Sequence, residues 1–219
     1  MVQLTKAGLI GTADLRELAR EFEQSHTFRL SRLLHPELMH MISSRLQECT
    51  WISHDDGDIA REMLPSDLAP ASVLNFAANT AEFLNLIRCI TGCPISSFAG
   101  RVYRMAPDAN HYDSWHGDIG KNTDNRMLGM SINLDSRLYT GGIFRLRNET
   151  TKRVLCELPN TGVGDAIFFR ISRFLKHMVT PLVGTEPKTA FAGWFRSGDM
   201  DFYSSLKTSA QQQSLTPDN

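Results

Sequence analysis

The chain has 219 residues, 42% of them hydrophobic and 21% charged, and its formal net charge is −1. These values are typical of one globular domain, or of a core domain with an extension. The near-neutral charge gives no indication of nucleic-acid or anionic-membrane binding, and no apolar run is long enough to span a bilayer. The sequence lacks a signal-peptide pattern and its four cysteines are typical of buried thiols, so we expect a cytoplasmic protein.

The first part of the chain predicts helices. Residues 12–24 are expected to form a polar helix with Thr12 as its N-cap, and a second helix is expected to begin at Pro36. The strongest helical periodicity runs over residues 72–90, with Ser72 as its cap. An amphipathic helix of this kind, directly before a run of strands, is expected to pack on the outer face of a sheet.

Residues 51–58 are rich in turn-forming residues and predict a surface loop. The alternative is a lid over an active site, with Trp51 or His54 touching substrate.

From residue 95 the pattern changes to short β segments separated by Gly, Asn, Asp and Pro. This pattern predicts an all-β double-stranded β-helix, or jelly roll, with the N-terminal α-helices packed outside. The expected organisation is a helical extension over residues 1–94, a jelly-roll core over 95–198 and a polar tail over 199–219 that lacks the apolar surface to fold. The eight expected strands lie near residues 98–106, 113–119, 127–135, 142–148, 152–157, 166–171, 177–183 and 188–196.

His116 and Asp118 are two positions apart, so on a strand their side chains point to the same side. Non-haem Fe(II) sites use two histidines and one carboxylate on one face of the metal and leave the other positions open. His177 is our candidate for the second histidine. Two further His-x-Asp pairs, His54/Asp56 and His111/Asp113, lack comparable downstream residues.

A series of motifs follows in order along the chain: His116-Gly-Asp118, the strand 126–134, Gly141-Gly142, Gly164-Asp165, His177 with Val179 and Pro181, Lys188, and Ala192-Gly-Trp-Phe195. In the order and spacing of these motifs, the sequence from about Arg101 to Arg196 resembles the 2-oxoglutarate/Fe(II)-dependent oxygenases, near the prolyl 4-hydroxylase-like branch. The resemblance implies Fe(II) bound by His116, Asp118 and His177, with 2-oxoglutarate and O2 as cosubstrates. The carboxylate of Asp118 further implies hydroxylation rather than halogenation.

The same resemblance implies that Lys188 anchors the distal carboxylate of 2-oxoglutarate and that the Tyr103 hydroxyl bonds to it, with Arg196 as the alternative anchor. Ser131 and Asn133 lie on the polar face of a strand whose other face is apolar, so we expect them to line the pocket. On the final strand, period-two alternation places Trp194 inside the barrel with Lys188. Arg145 and Arg147 are expected beside the mouth, where they either meet an acidic substrate or form a solvated edge strand.

The predicted function is therefore hydroxylation of an unactivated C–H bond of a small molecule or amino acid, with release of succinate and CO2. A peptidyl, prolyl-type hydroxylase is one alternative. The others are a cupin-like metal-dependent dioxygenase or isomerase that does not use 2-oxoglutarate, and a non-catalytic binding module. We expect no nucleic-acid or membrane partner, and the sequence leaves the oligomeric state open.

Overall fold

The computed structural model of the protein describes residues 1–120 and 125–198. The predicted polar tail at 199–219 lies outside these ranges. Within them, no helix combines the length and apolar character that a membrane span requires.

The described residues form four α-helices and fifteen β-strands. The helices are α1 (Leu15–Ser25), α2 (Pro36–Glu48), α3 (Ala69–Ala78) and α4 (Ala81–Thr91). The strands are β1 (Val2–Thr5), β2 (Gly8–Gly11), β3 (Thr27–Leu30), β4 (Trp51–Asp56), β5 (Ala60–Pro65), β6 (Ser97–Met105), β7 (Tyr112–His116), β8 (Arg126–Asn133), β9 (Thr140–Gly141), β10 (Phe144–Asn148), β11 (Val154–Leu158), β12 (Ala166–Arg170), β13 (Leu175–Val179), β14 (Leu182–Val183) and β15 (Lys188–Arg196).

Eleven of these strands form one antiparallel sheet with the order β11-β10-β13-β7-β5-β6-β15-β8-β12-β3, and β4 pairs with β5. The sheet makes a nearly closed, barrel-like sandwich, so the predicted double-stranded β-helix core with outer helices is confirmed. The predicted segment 188–196 coincides with β15. The predicted strand 177–183 is divided into β13 and β14.

The helices cover the face of the sheet on which β8 and β15 present their large apolar side chains. Leu128, Met130 and Ile132 of β8 lie on the same face as Phe191 and Phe195 of β15, and all are buried in the main core. This core also contains Phe22 of α1 and Phe83 and Ile87 of α4. Each such side chain contributes about 1.5–3 kcal/mol on burial. The opposite face, with Ser131, Ala192 and Trp194, is therefore left to line the interior.

Two helix predictions are wrong in detail. Asp14, not Thr12, caps α1, and its carboxylate accepts from the backbone N–H groups of Arg16 and Glu17. The single helix predicted over 72–90 is two helices with a break at Asn79 and Thr80.

The break has a structural reason. The Asn79 side chain exchanges two hydrogen bonds of 2.8 Å with the backbone of Phe98. Asn75, inside α3, bonds in the same way to the backbone of Gly100. Both amides tie the helix pair to β6, and these long-range contacts outweigh the helical periodicity of the sequence.

The loop predicted at 51–58 is instead strand β4, which forms a hairpin with β5 around Gly57. The turn-forming residues gather at its tip, and Arg61 and Asp55 form an ion pair of 2.7 Å across it. β5 also pairs with β6 and β7, so the hairpin is part of the large sheet.

Candidate active site

His116, Asp118 and His177 meet at one point of the barrel interior. His116 at the end of β7 is the cross-strand partner of His177 in β13, and their ring centroids are 4.2 Å apart. Asp118 lies 3.9 Å from Nε2 of His116 and 3.7 Å from Nε2 of His177. One potential ligand atom from each residue lies within 4.8 Å of the others. The structure thus brings the predicted triad together within reach of a single ion.

The chemistry of these donors fits a divalent cation. Oδ2 of Asp118 is buried and has no hydrogen-bond partner in the described part of the chain. An unsatisfied carboxylate oxygen is costly in a protein interior, and a cation would satisfy it. Burial lowers the pKa of His177, which favours the neutral imidazole that a metal requires.

The orientation of His116 is set through its other ring nitrogen. Nδ1 lies 2.7 Å from the carbonyl oxygen of Ser114 and 3.2 Å from Oδ1 of Asp113. Burial opposes the charged imidazole, but the hydrogen bond and charge of Asp113 outweigh it and raise the pKa of His116 to about 9. Because Nδ1 faces these two acceptors, Nε2 is the nitrogen that faces Asp118, and a metal would bind there by displacing the Nε2 proton.

An aromatic wall backs the triad. The ring of Phe169 lies 4.6 Å, and that of Phe144 5.8 Å, from the His177 ring. Phe169 fits there because Gly129 faces it, since a Cβ atom at that position would lie 2.0 Å from the Phe169 ring. This wall shields the imidazole from water.

The triad opens into a cavity of about 490 Å³. Of the residues predicted to line it, Tyr103, Ser131 and Trp194 do so. Tyr103 is buried, which raises the pKa of its hydroxyl, and Ser131 lies near this hydroxyl. Asn133 lies elsewhere: its amide donates to the carbonyl oxygens of Gly162 and Asp135 and holds a turn.

Lys188 is not among the residues that line the cavity, although alternation places it on the same face of β15 as Ala192 and Trp194, which do. Its side chain is 2% exposed, and Nζ donates to the Gly142 carbonyl oxygen at 3.2 Å. Among the described residues, no carboxylate comes within 4 Å of this nitrogen. Burial lowers the pKa of Lys188 to about 8, although Asp113 and Asp135 oppose the shift. A buried cation without an acidic partner is suited to bind a carboxylate.

Other candidates from the sequence lie outside the cavity. Arg145 pairs with Glu157 at 2.8 Å. Arg147 stacks 4.3 Å from the Trp115 ring and therefore packs the rim.

His54 and His111, from the other two His-x-Asp pairs, belong to no potential metal-binding group among the described residues. Nδ1 of His111 accepts from the backbone N–H of Ala106 at 2.8 Å, and His54 lies on β4 opposite Glu62.

The cavity also contains charged residues that were not predicted, among them two arginines and a glutamate. Arg126 lines it beside Asp118, and Arg101 lines it in an ion pair with Glu62. Glu62 comes from a hairpin that the sequence indicated only as a loop, and Arg126 depends on a strand irregularity that no sequence pattern signals.

The family model of the 2OG-Fe(II) oxygenase superfamily matches residues 100–196. No curated protein matches the chain in sequence. Among solved structures, the fold is similar to a prolyl-4-hydroxylase from Pseudomonas putida, with a TM-score of 0.63 and 15% identity over 84% of this chain and 100% of that one.

Two further structures are similar. A prolyl hydroxylase from Trichoplax adhaerens, in complex with a hypoxia inducible factor oxygen degradation domain peptide fragment, has a TM-score of 0.63 and 12% identity over 93% of each chain. An oxidoreductase of the 2OG-Fe(II) oxygenase family from Burkholderia pseudomallei has a TM-score of 0.62 and 16% identity over 91% of this chain and 97% of that one.

The fold and the His-Asp-His site together define the class of non-haem iron oxygenases built on a double-stranded β-helix. The matched residues 100–196 are the core of a 2OG-Fe(II) oxygenase, so the resemblance seen in the sequence is confirmed. The match covers somewhat under half of the chain and supports a non-haem iron dioxygenase of this kind; enzymes of the matched family use Fe(II), 2-oxoglutarate and O2.

Proposed function

We propose that the protein hydroxylates an unactivated C–H bond of a small molecule or free amino acid, with Fe(II) held by His116, Asp118 and His177. The observation that carries this proposal is the meeting of the three side chains at the wall of one cavity. When bound there, Fe(II) with 2-oxoglutarate and O2 supplies the oxidation and yields succinate and CO2.

Lys188 is the proposed anchor of the distal carboxylate of 2-oxoglutarate. Its burial and its lack of an acidic partner in the described chain support this role. The Tyr103 hydroxyl, which is buried and lines the cavity, is the proposed second donor to the same carboxylate. A fixed ammonium and a fixed hydroxyl orient a flexible dicarboxylate better than water does.

Asp113 and Ser114 hold the His116 imidazole, and the Phe144 and Phe169 rings exclude water behind His177. On the open side, the hairpin of β4 and β5 contributes Ile59, Ala60 and Glu62 to the cavity wall. We propose that this hairpin shields the reacting centre from solvent.

A cavity of about 490 Å³ supports a small substrate, because pockets of a few hundred Å³ suit small ligands. A peptidyl substrate is the second candidate, and the peptide complex of the Trichoplax adhaerens prolyl hydroxylase supports it.

We also propose a cytoplasmic location, which is supported by four cysteines that are free in the structure.

Substrate-dependent formation of succinate from 2-oxoglutarate tests the proposal. His116→Ala and Asp118→Ala should abolish it, because each removes a metal ligand. His54→Ala, which removes a histidine that does not line the cavity, is the matched control and should retain it. Succinate formation at wild-type rates in either ligand variant would contradict the metal site. Full succinate formation in Lys188→Ala would contradict the proposed anchor. Oxidation of the substrate by the wild type without succinate formation would favour an enzyme that does not use 2-oxoglutarate.

A further inference from the structure

The cavity contains an arginine that the proposed iron and 2-oxoglutarate sites do not use. The pairing of β15 with β8 is regular up to Phe195 opposite Leu128, and then shifts so that Arg196 lies opposite Arg126. The extra residue, Met127, packs against the outer core. A bulge of this kind reverses the alternation of side chains. It turns Arg126 into the barrel, beside Trp194.

Packing and burial fix the guanidinium of Arg126. Its central carbon lies 3.6 Å from the centroid of the Trp194 ring, so the indole covers one face of the guanidinium plane. The side chain is 16% exposed, and Nε is buried without a hydrogen-bond partner among the described residues. The donors at the edge of the plane are therefore held at the cavity with their hydrogen-bonding capacity incompletely used.

The charge of Arg126 is also incompletely balanced. Its one carboxylate neighbour within 4 Å in the described chain is Asp118, at 3.7 Å from Nη1, which is longer than a hydrogen bond. That carboxylate is a proposed metal ligand, so a bound cation would share its charge. Arg101 and Arg196 add like charges nearby, and Glu62 pairs with Arg101. This local excess of positive charge over carboxylate charge favours the binding of an anionic group from a ligand.

We infer that the substrate carries a carboxylate and that Arg126, stacked on Trp194, binds it. This inference rests on the proposed function. A planar guanidinium binds a carboxylate through two parallel hydrogen bonds, which fixes both the position and the orientation of a small acid. When Arg126 holds the substrate carboxylate beside Asp118, the carbons next to that carboxylate lie close to the proposed iron site.

The carboxylate bound by Arg126 is not the one anchored at Lys188. Lys188 and Arg196 are the two ends of the nine-residue strand β15, and Arg126 is the cross-strand partner of Arg196. At about 3.3 Å per residue, these ends are roughly 26 Å apart. The distal carboxylate of 2-oxoglutarate is therefore out of reach of Arg126, and the Michaelis constant of the cosubstrate in Arg126 variants distinguishes a substrate carboxylate from the metal-binding end of 2-oxoglutarate.

The test uses full-length protein with Fe(II) and 2-oxoglutarate and a panel of small amino, hydroxy and other carboxylic acids. Each acid is paired with its primary carboxamide, and short peptides with amidated C-termini and no acidic side chains complete the panel. We expect at least one acid, but not its carboxamide, to stimulate succinate formation.

Arg126→Gln should raise the Michaelis constant and the anaerobic calorimetric Kd of that acid by about 10- to 100-fold. The Michaelis constant of the cosubstrate should stay within about twofold of the wild-type value. Arg126→Lys should restore some of the affinity.

The control variant is Arg137→Gln, which removes an exposed arginine paired with Glu186 and should change neither constant. Folding of each variant is checked by the visible band of the anaerobic Fe(II)–2-oxoglutarate complex. Three outcomes would overturn the inference. Arg126→Gln could leave the affinity for the acid unchanged, or it could raise the Michaelis constant of the cosubstrate instead. Carboxamides or amidated peptides could also stimulate succinate formation as strongly as the acids do. No stimulation by any acid while the band forms would overturn the inference and leave the proposed function standing, whereas absence of the band in wild-type protein would overturn both.

Discussion

Asp113 acts on the proposed iron site without being a ligand. Its carboxylate and the Ser114 carbonyl oxygen both face Nδ1 of His116, which leaves Nε2 for the metal. Partners of this kind orient the imidazole and make it a better donor, and their loss typically costs about 10- to 100-fold in metal affinity.

We therefore expect Asp113→Ala to weaken Fe(II) binding by about 10- to 100-fold, and Asp113→Asn, which retains an acceptor oxygen, to weaken it less. Anaerobic metal titration measures both constants. Asp55→Ala, which removes a carboxylate from the hairpin, is the control and should bind Fe(II) as the wild type does. Equal affinity in Asp113→Ala and the wild type would show that His116 is oriented without Asp113.

The affinity for 2-oxoglutarate should depend on pH through Lys188. Burial is the main cause that lowers its pKa to about 8. Below this pH, Nζ carries the charge that pairs with the cosubstrate. Above it, the free protein loses the charge and the Kd of the cosubstrate should rise about tenfold per pH unit.

Anaerobic titrations of the Fe(II) protein across this pH range measure the effect. Lys188→Arg keeps its charge throughout the range and should remove the transition. A Kd that stays constant through pH values above the lysine pKa, or an unchanged transition in Lys188→Arg, would assign the anchor to another residue.

Period-two alternation predicted that His116 and Asp118 share a face. The family resemblance was needed to support His177 as the second histidine and to single out Lys188. Asp113 was discounted since its contact with His116 depends on the local path of β7. Arg126 was missed because its orientation depends on a bulge, and Asn133 was placed in the pocket by an alternation that the turn at Gly162 overrides.

At the scale of elements, the strands β8 and β12 pack closely at Gly129 and Phe169. These residues are cross-strand partners, and the phenylalanine ring occupies the space above the glycine. The ring then contacts His177, so the packing of two strands sets the position of a proposed ligand on a third.

Gly129→Ala should therefore displace the Phe169 ring and lower the free energy of unfolding by about 1–3 kcal/mol, which is the usual cost of overpacking. It should also weaken Fe(II) binding. Denaturant unfolding and metal titration measure the two effects. Gly117→Ala introduces only ordinary contacts, 3.6 Å and longer, and should leave the unfolding free energy unchanged. Equal stability of the two variants would contradict this account of the packing.

The strands of the core were predictable because alternation and turn residues mark them locally. The division of the helical region into α3 and α4 was not, since it depends on side-chain bonds from Asn75 and Asn79 to β6, which lies later in the chain. The hairpin of β4 and β5 was missed for a similar reason: its polar strands are stabilised by pairing with β6 and β7.

At the scale of the whole molecule, residues 1–94 and 95–198 share one core. Phe28 of β3 stacks on Phe168 of β12 at 4.4 Å, and Phe83 of α4 lies 6.2 Å from Phe195 of β15. β3 and the hairpin also supply strands to the large sheet. We propose that the N-terminal segment and the jelly roll fold as one unit.

A fragment of residues 95–198 should consequently fail to unfold cooperatively and fail to bind Fe(II). It would expose several large apolar side chains, each worth about 1.5–3 kcal/mol, against a typical total stability of about 5–15 kcal/mol. Circular dichroism with thermal unfolding measures this. Removal of residues 208–219, whose composition offers little apolar surface, is the control and should leave the transition unchanged. Cooperative unfolding of the fragment would contradict the shared core.

The most direct measurement of the central claim is an anaerobic titration of metal-free protein with Fe(II) and then 2-oxoglutarate, followed by visible absorption. The account predicts the weak charge-transfer band of the iron chelate in the wild type, its loss in Asp118→Ala, and its formation only at much higher cosubstrate concentration in Lys188→Ala. Binding of Fe(II) without the band would contradict the role of 2-oxoglutarate. Absence of metal binding would contradict the site formed by His116, Asp118 and His177.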